Sequence, residues 1–564
     1  MEAPALGAGF APAWRSDRAV LAGLIAIAAA NGLLWACTIP FNEAPDEAAH
    51  FQVVRFILDH GRLPRFSPDE LWLHNTAKGF VESYAPFPPL AYLVGALASR
   101  MTEGTMWGAR LVSVASYVAT AALTFLIARR LWPETRLVAV CAALVVAFLP
   151  QFAFTAAYVN SDAIGVALSA LLLYLLVRLH SKHPRAWPLV AIGVTVGALL
   201  LTKYTFYPAA AVGLVAAAWR TRQPLQAAAL VGSTVATAGW WLARNWMLYG
   251  ELAPVRVIAE AKAAAGGNTL FVPADYGITL LDISTRTDFW WATFTSFVGK
   301  FGFVSIELHP AYYIACLALV ALAFAGALSR LLRSRPRRQD LAPMGVGAAV
   351  VVGTAVFGMY SSASGEYSPQ GRYLFAALVP IAIGLAGGWS WLGLLAPALR
   401  FVPVVAALSL VALNFVALFG SVVPAHFGGF PDGVGRLVLQ VDPPADPPGS
   451  PIELVGWAFE EGGAVWLPYS PASIAGYRRP ASEVRVYVDS PPPSGRLIGT
   501  ALYGLRRADV DAFYGGLRRI EDVGYRLELP LNALPDRGGH IYVCASGPVH
   551  QATCVVQAIH GARP

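Results

Sequence analysis

Residues 19–39, AVLAGLIAIAAANGLLWACTI, run directly into residues 40–64, PFNEAPDEAAHFQVVRFILDHGRLP. The first stretch carries no charge and has the roughly 20 apolar residues that a bilayer-spanning helix requires. The second places Glu43, Asp46, Glu47 and His50 within one or two helical turns of that membrane boundary. An uncharged span that opens onto a knot of ionisable residues sets the reading of the whole chain.

The composition agrees with a membrane protein. Of 564 residues 56% are hydrophobic and only 13% are charged, with a mean hydropathy of +0.54. That excludes a soluble globular protein, and the apolar residues fall in long runs. The net charge of +7 implies no nucleic-acid partner, because Lys and Arg sit in short clusters between apolar runs, the pattern of cytoplasmic loops. These clusters are 14–18, 128–136, 178–185, 219–222, 330–338 and, more weakly, 398–400. Between them lie apolar stretches near 19–39, 108–130, 137–158, 161–180, 187–202, 204–219, 226–246, 311–332, 342–362, 371–393 and 401–424. The expectation is a polytopic α-helical protein of about eleven spans, starting inside and ending outside. The apolar stretches 88–98 and 289–304 read as helices lying at the outer interface.

From about Gly428 the character changes. The run FPDGVGRLVLQVDPPADPPGSP is rich in Pro, Gly and Asp, and short alternating segments follow it, among them IELVGWAF, EVRVYVDS, YRLELPL, HIYVCAS and TCVVQAI. Such runs separated by turn residues predict an all-β sandwich of about 110 residues. The expected organisation is a transmembrane domain over 1–427, a linker over 428–450 and an extracytoplasmic β-sandwich over 451–564. Cys37, Cys141 and Cys316 fall in or beside spans and read as packing residues. Cys544 and Cys554 lie on two strand-like runs that a hairpin would set face to face, a candidate disulfide if that domain is outside.

Ionisable residues at the edge of a bilayer are functional candidates by default. Glu43 reads as a helix-capping acid, whereas Asp46 and Glu47 read as functional because polar residues recur at other outer loops. Asn160 and Asp162 stand in YVNSDAI, Lys203 in LLLTKYTFYP, Arg244 and Asn245 in RNWMLYG, and Gln370, Arg372 and Tyr373 in QGRYLF. His50 belongs to the same cleft. A cation in such a cleft can hold a phosphate, and a carboxylate can take a proton from an attacking hydroxyl. A lipid-linked phosphosugar presents both needs at a membrane surface.

PDEAAHFQVVRFILDHGRLP resembles the first outer loop of bacterial GT-C glycosyltransferases, where an Asp-Glu pair opens a juxtamembrane helix. FPPLAYLVGAL and GARLVSVASYVATAALTFLIARRLW are similar to the interface helix and second span of that superfamily. Then LPQFAFTAAYVNSDAI, LLLTKYTFYP, RNWMLYG and QGRYLF are similar, in that order, to the bacterial membrane proteins designated DUF2142, relatives of the protein mannosyltransferase and aminoarabinose transferase families. The resemblance covers roughly 19–395. It implies a GT-C-like fold with juxtamembrane helices in the first outer loop, in a bacterial inner (plasma) membrane. It also implies an inverting transfer from a polyprenyl-phosphate sugar to a glycan, lipid or protein acceptor on the periplasmic or extracellular side. Asp46, with Glu47 as rival, would be the general base and Asp162 a second acid; Lys203, Arg244 and Arg372 would contact the donor phosphate. No Asp-x-Asp of the metal-binding kind is present in that loop, so no cofactor is expected and a divalent metal is left unsupported. The β domain is similar to small sandwiches likened to carbohydrate-binding modules, with Trp457, Trp466 and Tyr469 as either sugar-stacking or core residues. The alternatives are a transporter or flippase of a lipid-linked glycan, which needs a polar path across the membrane, and a non-catalytic glycan-binding scaffold.

Overall fold

The structure is a computed structural model, and it describes all residues except 1–9, 42, 72–73, 76–80, 180–185, 265–271, 303, 305, 334–337, 366, 425–435, 443–451, 463–476, 508, 511–521, 530–539, 548–552 and 559–564. The chain forms two compact units, one of Met1–Ile39 with Glu43–Val422, the other of Pro40–Asn42 with Val423–Pro564.

The first unit is helical. Its helices are α1 (Phe10–Thr38), α2 (Glu47–His60), α3 (Leu90–Arg100), α4 (Met106–Leu131), α5 (Arg136–Phe148), α6 (Pro150–Thr155), α7 (Asp162–Arg178), α8 (Ala186–Leu200) and α9 (Tyr207–Ala218). They continue with α10 (Pro224–Tyr249), α11 (Val255–Ala264), α12 (Leu280–Thr285), α13 (Thr287–Gly299), α14 (Pro310–Arg333), α15 (Arg338–Ser364), α16 (Leu378–Trp391) and α17 (Val402–Ala417). Every apolar stretch expected to span is helical. Six segments among the described residues are long and apolar enough to cross a membrane: Asp17–Thr38, Met106–Leu131, Pro310–Arg333, Ala342–Ser364, Gly371–Leu394 and Pro397–Val422. Of the remaining stretches, α10 is a continuous helix of 26 residues outside those six, and the others are shorter or interrupted. Pro150, which has no N–H to continue a helix, divides the third stretch into α5 and α6. Between α8 and α9 the backbone goes extended at Lys203 (φ −164°) before a 3₁₀ turn, Tyr204–Phe206. The two interface stretches also fold as helices, α3 and α13.

Without a hydrophobic drive between helices in lipid, close packing and polar contacts hold such a bundle together. α14 and α16 approach at glycines: a Cβ on Gly326 would lie 1.9 Å from the Gly388 carbonyl oxygen, and one on Gly388 would lie 2.3 Å from that of Ala323. A buried amide pair ties the first span to the last. Asn414 donates to the Asn31 side-chain oxygen at 2.8 Å, and Trp35 donates its indole N–H to Asn414 at 3.1 Å. Asn31 in turn donates to the Tyr117 hydroxyl at 2.9 Å and to the Ala147 carbonyl at 3.0 Å, bringing in α4 and α5.

The second unit is a β-sandwich. One antiparallel sheet orders its strands as Leu502–Leu505, Gly524–Leu529, Ile452–Gly462 and Arg436–Val441, with Tyr477–Pro480 also on Ile452–Gly462. The other runs Thr553–Ala558, His540–Ser546, Glu483–Val488, Arg496–Thr500. Leu437, Leu454 and Tyr525 of the first sheet share one core with Val484, Val486, Ile541 and Val543 of the second. The expected linker over 428–450 therefore needs correction: RLVLQV within it is a strand, Arg436–Val441, paired along its length with Ile452–Gly462. Cys544 and Cys554 are direct cross-strand partners and form a disulfide. Trp457 is buried with its ring stacked on Phe459 in a small cluster with Val438, Val510 and Val523, apart from the core that the two sheets share; Trp466 and Tyr469 lie outside the described residues.

Replacing Gly388 with Ala forces a methyl group into the α14 backbone and should cost about 1–3 kcal/mol. Thermal unfolding of the detergent-purified variant checks this; an unchanged midpoint would mean that the helices separate freely.

Candidate active site

The site grows from the junction between the first span and α2. Asp46 occupies the N-cap position of α2 in a left-handed conformation, φ 61° and ψ 14°, which aspartate tolerates better than most residues. Its side chain makes no cap hydrogen bond. Instead its Oδ2 accepts from the Tyr84 hydroxyl at 3.0 Å, and the residue stays partly open to solvent. Asp46 therefore stands at the N-cap without its side chain capping the helix.

Glu47 points the other way and is fully buried. Arg110 of α4 grips it with two parallel bonds, Nε to Oε1 and Nη2 to Oε2, both 2.7 Å, and Val159 N–H adds a third at 3.0 Å. The remaining Nη1 of Arg110 donates to the Ala36 and Ile39 carbonyls, each at 2.8 Å, at the end of α1. Glu47 is thus a bolt joining α1, α2, α4 and the 156–161 turn. Its candidacy as a catalytic acid is corrected on that ground, because its oxygens are spent on a buried cation. The carboxylates of adjacent Asp46 and Glu47 do not converge.

His50, one turn on, is buried, its ring 3.7 Å centroid to centroid from Tyr84 and its Nδ1 2.8 Å from the Tyr92 hydroxyl. Burial, with the positive charges of Lys203 and Arg372 behind it, holds the imidazole well below its usual 6.5. It is neutral at physiological pH.

The other acids and cations meet this loop from separate helix ends. Asn160 caps α7: its Oδ1 accepts from the Asp162 and Ala163 N–H groups at 2.8 and 3.1 Å, while its Nδ2 donates to the Thr155 and Tyr158 carbonyls. That fixes Asp162 at the helix start, where both carboxylate oxygens accept from Lys203 Nζ, at 3.0 and 2.9 Å. Arg372 lies on a 3₁₀ turn, Gly371–Ala377, pressed against α13. Any Cβ on Gly371 would come within 2.2 Å of Phe297 N, so only glycine permits that approach. The Arg372 guanidinium sits 5.9 Å over the Tyr373 ring, and its buried Nε has no hydrogen-bond partner among the described residues. Asp46, Asp162 and Arg372 all lie within electrostatic reach of the Tyr158 hydroxyl.

Arg244 and Asn245 are held apart from this group. Arg244 donates Nη2 to the Pro64 carbonyl at 2.6 Å with its guanidinium over Trp241, while its buried Nη1 has no partner among the described residues. Asn245 donates to the Leu252 carbonyl at 3.2 Å. Gln370 Nε2 donates to Ser368 Oγ at 2.7 Å and Tyr373 to the same oxygen at 3.4 Å, so these two shape the turn that carries Arg372.

Residues 65–382 match the family described as "Predicted membrane protein (DUF2142)". The chain belongs to that family. The DUF2142 match takes in Arg110, Asp162, Lys203, Arg244 and Arg372 and begins after the Asp46 loop. No curated protein matches the sequence. Among solved structures, the chain is similar to the oligosaccharyltransferase of Archaeoglobus fulgidus in its apo form, at 17% identity over 71% of this chain and 54% of that one, with a TM-score of 0.36. The AglB complex from the same organism, with an inhibitory peptide and a dolichol-phosphate, gives 17%, 71%, 54% and 0.36. ArnT from Cupriavidus metallidurans bound to undecaprenyl phosphate gives 15%, 68%, 77% and 0.32. This DUF2142 chain spans about half the length of the archaeal protein.

Tyr84, Tyr92, Arg110 and Tyr158 were not among the sequence candidates. Arg110 had a legible signal: it is the lone charge inside the apolar run 108–128. Among the described residues no group of three or more His, Cys, Asp or Glu is placed to hold a metal ion.

Glu47→Gln leaves Arg110 uncompensated in the interior and should cost about 3–5 kcal/mol, read as a lowered unfolding midpoint. The pH response follows from His50. The unfolded chain binds its proton near 6.5 and the folded chain does so only at lower pH, so this contribution is fully present above that value and declines as pH falls below it. Unfolding midpoints between about pH 8 and pH 5 should fall less steeply in His50→Gln than in the wild type.

Proposed function

We propose that the protein is an inverting glycosyltransferase of the GT-C kind, which moves a sugar from a polyprenyl-phosphate donor to an acceptor on the outer face of a bacterial plasma membrane. The observation that supports it most directly is the pairing of a guanidinium that has one unsatisfied N–H with an apolar groove. The groove has a volume of about 520 Å³ and runs between α5, α13, α14, α16 and α17, lined by Leu149, Phe294, Leu319, Ile381 and Leu385 among others. Leu374, two residues beyond Arg372, lies in its wall. A polyprenyl chain in the groove would bring its phosphate to Arg372, whose free Nε suits a phosphate oxygen.

In this mechanism Asp46 is the general base. Tyr84 holds one of its oxygens, and the partly open carboxylate takes the proton of the acceptor hydroxyl as that oxygen attacks the anomeric carbon. The bond from that carbon to the phosphate breaks, and the leaving phosphate is stabilised by Arg372 and by the third N–H of Lys203. Asp162 holds Lys203 in place and offsets its charge when no donor is bound. Arg244, held apart from this group by its bond to the Pro64 carbonyl, offers its unpaired Nη1 to a more distant part of the donor or acceptor. The apolar lining of the groove gives a lipid tail a place and gives a hydrophilic cargo none, which sets this reading above a transporter.

The test is turnover of purified protein with a panel of polyprenyl-phosphate sugars and candidate acceptors. Asp46→Asn should lower the rate about 10²–10⁴-fold while donor binding survives. Arg372→Ala should weaken donor binding. Full activity in Asp46→Asn would move the base to Asp162, and binding of every donor unchanged by Arg372→Ala would overturn the phosphate assignment. Cysteine labelling that finds the Asp46 loop on the cytoplasmic face would overturn the outer-face reading.

A further inference from the structure

At the opposite end of the helical unit two cavities adjoin. One, of about 610 Å³, is bounded by Arg130 at the end of α4, Arg220 just after α9, and Trp219 and Leu179. The other, of about 350 Å³, is an apolar chamber lined by Ile127, Met344, Val379 and Ile383, with Arg330 of α14 at its edge. Leu131, Leu173, Val177 and Pro343 line both, so they share walls. Pro343 lies inside α15, where a proline cannot donate to the preceding turn and pushes it aside.

We propose that this double cavity is a binding site for an acidic glycerophospholipid, its phosphate among Arg130, Arg220 and Arg330 and an acyl chain in the chamber beyond. Two guanidiniums, Arg130 and Arg220, line one cavity and a third, Arg330, lines the cavity that shares its walls, and among the described residues no acidic side chain pairs with any of them. Asp17 is committed to Arg129 and Arg136, each at 2.8 Å. Arg220 gives one N–H to the Leu179 carbonyl at 3.0 Å and keeps the rest. Like charges around adjoining cavities call for an anion, and each arginine near an anionic lipid surface adds to the attraction. Free phosphate would satisfy the arginines but leave the chamber unfilled. The exposed apolar residues around the mouth, Val215, Trp219, Leu331 and Leu332, suit an opening that faces the bilayer. The arginines lie at the other end of the bundle from Asp46 and Arg372, while the chamber shares Ala327, Val351 and Gly384 with the apolar groove described above; the proposal does not depend on the transfer reaction.

The full-length protein, delipidated and then reconstituted in nanodiscs with equal phosphatidylglycerol and phosphatidylcholine, is released and weighed intact by native mass spectrometry. Phosphatidylglycerol should be retained about tenfold over phosphatidylcholine. Arg130→Ala combined with Arg330→Ala should bring that ratio near one. Ala348→Phe, which enlarges a side chain that lines the chamber and not the apolar groove of the proposed donor, should reduce retention of both lipids. Equal retention by the wild type, or a preference that survives the double arginine variant, overturns the proposal. Displacement of phosphatidylglycerol by inorganic phosphate alone, or by undecaprenyl phosphate at equal concentration, also overturns it, because the anion would then be recognised without its glycerolipid body.

Discussion

The buried pair between Glu47 and Arg110 is the constraint on which the arrangement of this site rests. Two ions taken out of water are costly, and the cost is met only when every donor and lone pair is engaged. Here they are: Arg110 serves two carbonyls at the end of α1 as well as the carboxylate, and Glu47 also takes the Val159 N–H. With Glu47 pinned, the residue before it has little freedom. Asp46 must turn through the left-handed region to let the chain enter α2 and is aimed away from the pair, toward Tyr84. One acid of the doublet is structural so that the other can be placed.

The second organising principle is charge balance at one rim. Asp162 neutralises Lys203 at contact distance, and Asp46 and Asp162 act on Arg372 through space. Cations held by acids are kept in position without a ligand and retain unspent donors. Arg372 Nε and Arg244 Nη1 are the places where the balance is left open.

Much of this was legible in the sequence because it is written in hydropathy. Eleven apolar stretches became helical, and period-two alternation became the sandwich strands. The convergence of Asp46, Asp162, Lys203 and Arg372 followed from their common position at span ends. What was not legible depends on direction and partner. Asp46 and Glu47 are adjacent, and no periodicity tells which faces inward. Lys203 and Arg372 look equivalent in sequence, yet one is engaged by a carboxylate and the other is not. Arg244 reaches the Pro64 carbonyl across 180 residues, which spacing cannot announce. The strand Arg436–Val441 hid in a Pro- and Gly-rich run because only its pairing with Ile452–Gly462 makes it one.

The amide pair that joins α1 to α17 has a bearing on biosynthesis. The helix that carries Asn31 is made before the one that carries Asn414, 383 residues further along the chain. Until α17 is inserted, Asn31 has Tyr117 and the Ala147 carbonyl as partners. The bundle therefore closes like a clasp, the Asn31 side-chain oxygen gaining its donor from Asn414 only when α17 arrives.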